Sequence, residues 1–201
     1  MSTLRMDAFG ASQAVAVDVY TAAYRVSGQV ETRFGRVAEI LNQLTGGYLT
    51  VTRATISEYG DPNGTLAAPS AVVSVDDVLV MVAPGLASET HAEMRIPKRP
   101  VLGHLAIPPL RVTGTIHVPI GSRPVDGLLH VTERFIAMTD VTLASSQYQE
   151  LGRTAAVLAV RRDRAHVLLV ADDENPDQLL ADVLDERTAE TWLRGEEPEE
   201  D

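Results

Sequence analysis

A chain that states itself twice is constrained to fold as two related units, and this one does so. RVSGQVETRFGRVAEILNQLTGGYLTVTRATI, from Arg25 to Ile56, is echoed by RVTGTIHVPIGSRPVDGLLHVTERFIAMTDVTL, from Arg111 to Leu143. Arg25, Val26, Gly28 and Gly35 meet Arg111, Val112, Gly114 and Gly121 at an offset of 86. One inserted residue then sets Arg36, Leu41, Thr45, Thr52 and Thr55 over Arg123, Leu128, Thr132, Thr139 and Thr142 at an offset of 87. In the same frame Tyr48 falls on Phe135, Leu49 on Ile136 and Glu39 on Asp126. With 201 residues to divide, two small units fit the length better than one large domain.

Period-two patterning makes the units mainly β. Val15, Val17 and Val19 alternate before Tyr24, Val26, Gly28 and Val30, so the segment 14–32 reads as strand. Gly28, and Gly114 at the matching place, predict a bulge or a close backbone approach twice over. Val37, Ile40, Leu41 and Leu44 then lie on one face of a short helix stopped by Gly46 and Gly47. The copy has Val125, Leu128 and Leu129 at the same spacing, with Ser122 as N-cap and Pro124 in the first turn. Threonine-rich strands follow from Tyr48 to Ile56 and from Phe135 to Leu143. After the Asp61-Pro62-Asn63-Gly64 turn, segments 71–75 and 78–82 read as a hairpin, or as one strand broken at Asp76-Asp77; the copy runs 155–160 and 166–171. Each unit is thus expected to run strand, short helix, strand, strand, strand.

The expected layout is a first β-rich repeat over 14–84, a connector over 85–109, a second repeat over 110–171, and an acidic helix and tail over 172–201. Pro97, Pro100, Pro108 and Pro109 mark the connector, while Val101, Leu105 and Ile107 give it apolar anchors on the body. Asn175, Pro176 and Gln178 open a C-terminal amphipathic helix whose apolar face includes Leu180, Leu184 and Trp192. Such a face needs a partner, in cis or in trans, because a short helix is marginal alone in water.

Charge is concentrated rather than spread. Thirteen acids and two bases between Asp172 and Asp201 account for the whole net charge of −11, leaving the β body neutral. The absence of cysteine excludes disulfides, thiolate metal sites and cysteine nucleophiles. No apolar run approaches the length of a membrane span, so a cytoplasmic location and no membrane partner are expected.

Few residues point to chemistry. Arg36 with Glu39, and Arg123 with Asp126, read as ordinary i, i+3 ion pairs; the sharper reading is an anion or partner contact. Arg161, Arg162 and Arg164 sit at a turn where the first copy has Asp76 and Asp77. The reading there is a solvated tip, a contact between subunits or with the acidic tail, or a phosphate-binding loop. His91, His104, His117 and His130 recur every thirteen residues but fall on unrelated elements, so no metal site is expected. The acids Asp172, Asp173, Glu174 and Asp177 have a helix-dipole reason to precede a helix and need no cation. Phosphate-loop, dinucleotide, nucleophile-elbow and zinc-helix signatures are all missing, and no cofactor or catalytic residue is assigned.

At GRVAEILN and YLTVTRATI, echoed by SRPVDGLLH and FIAMTDVTL, the sequence resembles a bacterial family of small β-rich domains with no established activity. That resemblance implies a Val-x-Gly-x-Ile strand, an arginine-led helix ending in Leu-Asn, and a Thr-x-Val strand. Asn42 keeps the Leu-Asn ending, and His130 departs from it. AVVSVDDVLVMVAP is similar to the last strands of Sm-like barrels. The leading expectation is a non-catalytic protein that binds another protein or itself through two tandem, barrel-like β repeats. The alternative is an Sm-like nucleic-acid module whose acidic tail screens the arginine turn, and the third reading is an enzyme with a site between the repeats.

Overall fold

The computed structural model describes residues 12–61, 63–86, 98–120 and 131–170. β1 (Gln13–Tyr20) buries Val15, Val17 and Val19 and exposes Ala14 and Ala16, the alternation that its sequence carries. It does not run on to Thr32. The Thr21 hydroxyl accepts from the amides of Ala23 (3.3 Å) and Tyr24 (3.0 Å), turning the chain back into β2 (Tyr24–Thr32). The single strand expected over 14–32 is therefore a hairpin. The turn escapes notice because Thr21-Ala22-Ala23 has no Gly, Pro, Asn or Asp, and a threonine side chain does the turning.

The remaining elements are α1 (Val37–Asn42), β3 (Tyr48–Glu58), β4 (Thr65–Ser74), β5 (Val80–Val82), β6 (Lys98–Ile107), β7 (Leu110–Pro119), β8 (Phe135–Ala144), β9 (Arg153–Arg161) and β10 (Val167–Val170). Short 3-10 turns occupy Gln149–Leu151 and Arg162–Arg164. The protein is mainly β: the ten strands among the described residues join one antiparallel sheet in the order β10-β6-β7-β8-β9-β5-β1-β2-β3-β4.

Two expectations change here. The connector expected over 85–109 contains β6, a full strand paired with β7 from Lys98↔Pro119 to Ile107↔Leu110 around a Pro108–Pro109 turn. Its prolines suggested non-strand backbone, but Pro100 lies outside the β6–β10 ladder, which pairs only Gly103 to Ala106, so β10 asks no N–H of it. Nor do segments 71–75 and 78–82 form a hairpin. β4 pairs with β3 and β5 pairs with β1, on opposite sides of the first five strands.

The sheet order places β5-β1-β2-β3-β4 beside β10-β6-β7-β8-β9, the same order in each half. The irregularities match as well. Register slips between Ser27 and Gln29 on β2, and between Thr113 and Thr115 on β7. A Cβ on Gly28 would meet the Thr52 carbonyl oxygen at 2.6 Å, and one on Gly114 the Thr139 carbonyl oxygen at 2.9 Å. Opposite them stand Arg53 (φ 50°) and Asp140 (φ 51°), in the left-handed region that side chains rarely adopt. These are the close approaches that the two glycines predicted.

Each half has its own core. One cluster holds Val15, Val17, Val26, Ile40, Leu41, Leu49, Val51 and Met81 with Phe135 and Ala159 from the second half. The other holds Leu105, Ile107, Val112, Ile116, Met138, Leu143 and Leu158 with Tyr20, Tyr59, Val80 and Val82 from the first. The α1 residues Val37, Ile40 and Leu41 are buried, as their spacing requires.

Candidate functional site

Where the halves meet, β5 and β9 pair through Val80↔Val160, Met81↔Ala159 and Val82↔Leu158, and side chains from both halves secure this three-residue ladder. Asn42, at the end of α1, donates from Nδ2 to the Phe135 carbonyl at 2.8 Å and accepts at Oδ1 from the Phe135 amide at 3.0 Å. On the other flank Arg153 donates to Asp18 at 2.5 Å and to the Tyr20 hydroxyl at 3.1 Å. Beyond them the Tyr59 and Tyr148 rings meet at a tilt of 47° with centroids 5.3 Å apart, and the Gly60 amide donates to Glu150 at 3.0 Å.

The most charged part of the junction lies at the arginine turn. Arg161 is only 4% exposed. Its guanidinium donates to Asp163 (2.8 and 3.2 Å) and to the Val75 carbonyl (2.9 Å), lies 3.5 Å from Asp76, and covers the Phe135 ring. Arg134 donates to Asp76 as well. Hydrogen bonding from Arg134 holds the Asp76 carboxyl below its ordinary range, and Arg161 does the same for Asp163. The sign swap between the matching turns therefore places acid from one half against bases from the other. Each of the three guanidinium nitrogens of Arg161 thus has a protein partner, which makes it a structural cation of the junction.

The other candidates are scattered. Arg36 forms its i, i+3 pair with Glu39 at 3.2 Å, both about half exposed. Arg162 sends its backbone N–H to the Arg134 carbonyl, and its Nε is buried with no hydrogen-bond partner among the described residues. Arg164 reaches the Asp76 carbonyl at 3.4 Å. Arg123, Leu180, Leu184 and Trp192 lie outside the described residues, as do the segments where a helix is expected in the second copy and at the C-terminus. His104 and His117 stand on neighbouring strands beside Thr113 (2.7 Å) and Thr139 (3.2 Å), and the described residues contain no cluster of three or more metal-ligating side chains. No helix among the described residues is long and apolar enough to cross a membrane.

Asp18, Tyr20, Arg153 and Arg134 were not singled out from the sequence. For Arg134 a signal existed: the repeat sets it over Gly47, a basic residue where the first copy has none. Asp18 and Arg153 are ordinary strand residues far apart in the chain, and only the sheet order brings them together.

Compared with protein-family models, curated proteins and solved structures, the chain finds no match.

Proposed function

We propose that this chain is a non-catalytic, self-assembling or protein-binding scaffold built from two duplicated, barrel-like β units. Support for the duplication comes from the equal strand orders, the paired bulges at Gly28 and Gly114, and the matched left-handed residues Arg53 and Asp140.

One observation carries the interaction reading. β4, ten residues long, ends the sheet and is paired on one side only among the described residues, with Leu66 and Val72 more than 60% exposed. A long, apolar, open edge is a template for another strand, and proteins that stay monomeric blunt such edges with charge. β4 carries no charged residue, and its Pro69 stands opposite the irregular Arg53, leaving Ala71 to Ser74 able to pair. Light scattering on the full chain eluting from a sizing column tests the reading. A mass of at least two chains is expected at micromolar protein; a single-chain mass throughout that range refutes self-association.

A further inference from the structure

The junction inside one molecule specifies a second junction between molecules. Ladder register gives the equivalences. β3–β4 pairs Leu49↔Val73 where β8–β9 pairs Ile136↔Val160, so Ala71, Val72 and Val73 occupy the places of Leu158, Ala159 and Val160. β1–β5 pairs Val19↔Met81 where β6–β10 pairs Leu105↔Leu168, so Val167, Leu168 and Leu169 occupy the places of Val80, Met81 and Val82. The internal junction is β5 against β9. Its two equivalents, β10 and β4, are the strands left at the two ends of the sheet.

Burial follows the same correspondence. Phe135 (1% exposed) and Ala159 (0%) are the fully buried residues that the second half inserts into the core of the first. Their counterparts in the first half are Tyr48 (62% exposed) and Val72 (64%). Two of the molecule's exposed large apolar side chains therefore occupy the positions that, in the copy, are covered by a neighbouring unit. The backbone is set the same way. The Arg161 amide donates across the junction to Leu79 while that of Arg162 donates back to Arg134. The Val75 amide likewise donates back to Gly47, so alternation along β4 points the Ser74 and Val72 amides outward.

We propose that copies of this chain join head to tail, β4 of one pairing antiparallel with β10 of the next in the register Val73↔Val167, Val72↔Leu168, Ala71↔Leu169. Tyr48 and Val72 then enter the second core of the neighbour as Phe135 and Ala159 enter the first core of their own chain. The contact is heterologous, so it propagates into a ring if the rotation closes and a filament if it does not. It rests on the self-association reading above and specifies which surfaces carry it. The ionic part of the internal junction is not repeated, since Arg134 and Arg161 correspond to Gly47 and Ser74. Assembly through these edges is accordingly expected to persist at high salt.

Cysteine cross-linking of the full chain tests this directly, because the native sequence has no cysteine. Directly opposed residues on antiparallel strands have Cα atoms roughly 4.5–5.5 Å apart, within disulfide reach. A chain carrying both Val72→Cys and Leu168→Cys is expected to give a ladder of covalent multimers on a non-reducing gel after mild oxidation. Either substitution alone is expected to give none. A covalent dimer from Val72→Cys alone would mean that β4 pairs with itself and would overturn the proposal. As a second arm, Val72→Arg, at an exposed position, is expected to reduce the assembled mass to one chain with an unchanged far-ultraviolet spectrum. Assembly that survives Val72→Arg, with no ladder from the double variant, would refute these edges and leave self-association standing. A wild-type chain that is monomeric, whether its edges are free or covered by its own residues 171–201, refutes both.

Discussion

The Asn42 side chain pairs with the backbone of Phe135 through both of its polar ends, donating to the carbonyl and accepting from the amide. Phe135 faces Arg161 on β9, but Arg161 sends its amide to Leu79, and the β7–β8 ladder has stopped at Met138. The amide side chain thus supplies a strand's worth of hydrogen bonding where no strand remains. Asn42→Ala strands both Phe135 groups in a partly buried place, which is expected to cost about 1–3 kcal/mol. Urea denaturation followed by circular dichroism measures it. A midpoint equal to the wild type would mean that water replaces the amide without loss.

The paired bulges make a matched set of predictions. Gly28→Ala drives a methyl group to 2.6 Å from the Thr52 carbonyl oxygen, and Gly114→Ala drives one to 2.9 Å from that of Thr139. Both contacts are to backbone, which yields little, so each variant is expected to lose about 1–3 kcal/mol, in the range of overpacking. Asp140→Gly works in the opposite direction. Its left-handed φ of 51° costs a side-chain residue about 1–2 kcal/mol, while glycine's extra unfolded-state freedom costs about 0.5–1 kcal/mol, so a small net gain is expected. Thermal denaturation of the three variants side by side gives the signs.

The helix and the bulges were legible in the sequence because each follows from one local rule. Val37, Ile40 and Leu41 needed a face, and a mid-strand glycine needed a reason. β6 was hidden because prolines at both of its ends outweighed the alternation of Val101, Gly103, Leu105 and Ile107, whose burial only its neighbours β7 and β10 make worthwhile. Arg161 misled for a related reason. Three arginines within four residues look solvated in isolation, and only the distant Val75 carbonyl, Asp76 and Phe135 ring give one of them a place inside.

Replacing that arginine should therefore be costly. Arg161→Met keeps an apolar stem over Phe135 but removes the donors to Val75 and Asp163. The expected loss is about 1.5–3 kcal/mol, typical of hydrogen bonds to a charged group. Chemical denaturation at neutral pH reads it, and a loss within error would show that the guanidinium only fills space.

The carboxylates of the same cluster set its response to acid. Asp76 and Asp163 are both held below the ordinary carboxylate range, Asp76 mainly by hydrogen bonding from Arg134 and Asp163 mainly by hydrogen bonding from Arg161. For acids lowered on folding, the stabilising contribution is fully present above the unfolded value and is lost as pH falls through the folded one. The destabilisation caused by Arg134→Ala is expected to be small at pH 7, since both partners are exposed, and to vanish in strong acid. A difference in melting temperature that grows with acidification would contradict this assignment.

His104 gives a separate signature at milder pH. Burial lowers its pKa from 6.5, with the nearby Arg111 acting in the same direction. For a base lowered on folding, stability is greatest above the unfolded value and falls as pH drops from there toward the folded one, because the unfolded chain takes the proton more readily. Wild-type stability is thus expected to decline on acidification below about 6.5, and His104→Gln to flatten that decline. Denaturation midpoints across this range supply the comparison.

Three residues of β5 serve two interiors at once, Val80 and Val82 facing the second core while Met81 faces the first. Neither half of the sheet can open without withdrawing atoms from the other, so the energetic boundary does not follow the midline of the sheet. A tandem of independent modules would melt in two steps. Held as a single chain by Val72→Arg, the protein is expected to show a single calorimetric transition, with van't Hoff and measured enthalpies in agreement, the two halves of its sheet unfolding as one cooperative unit.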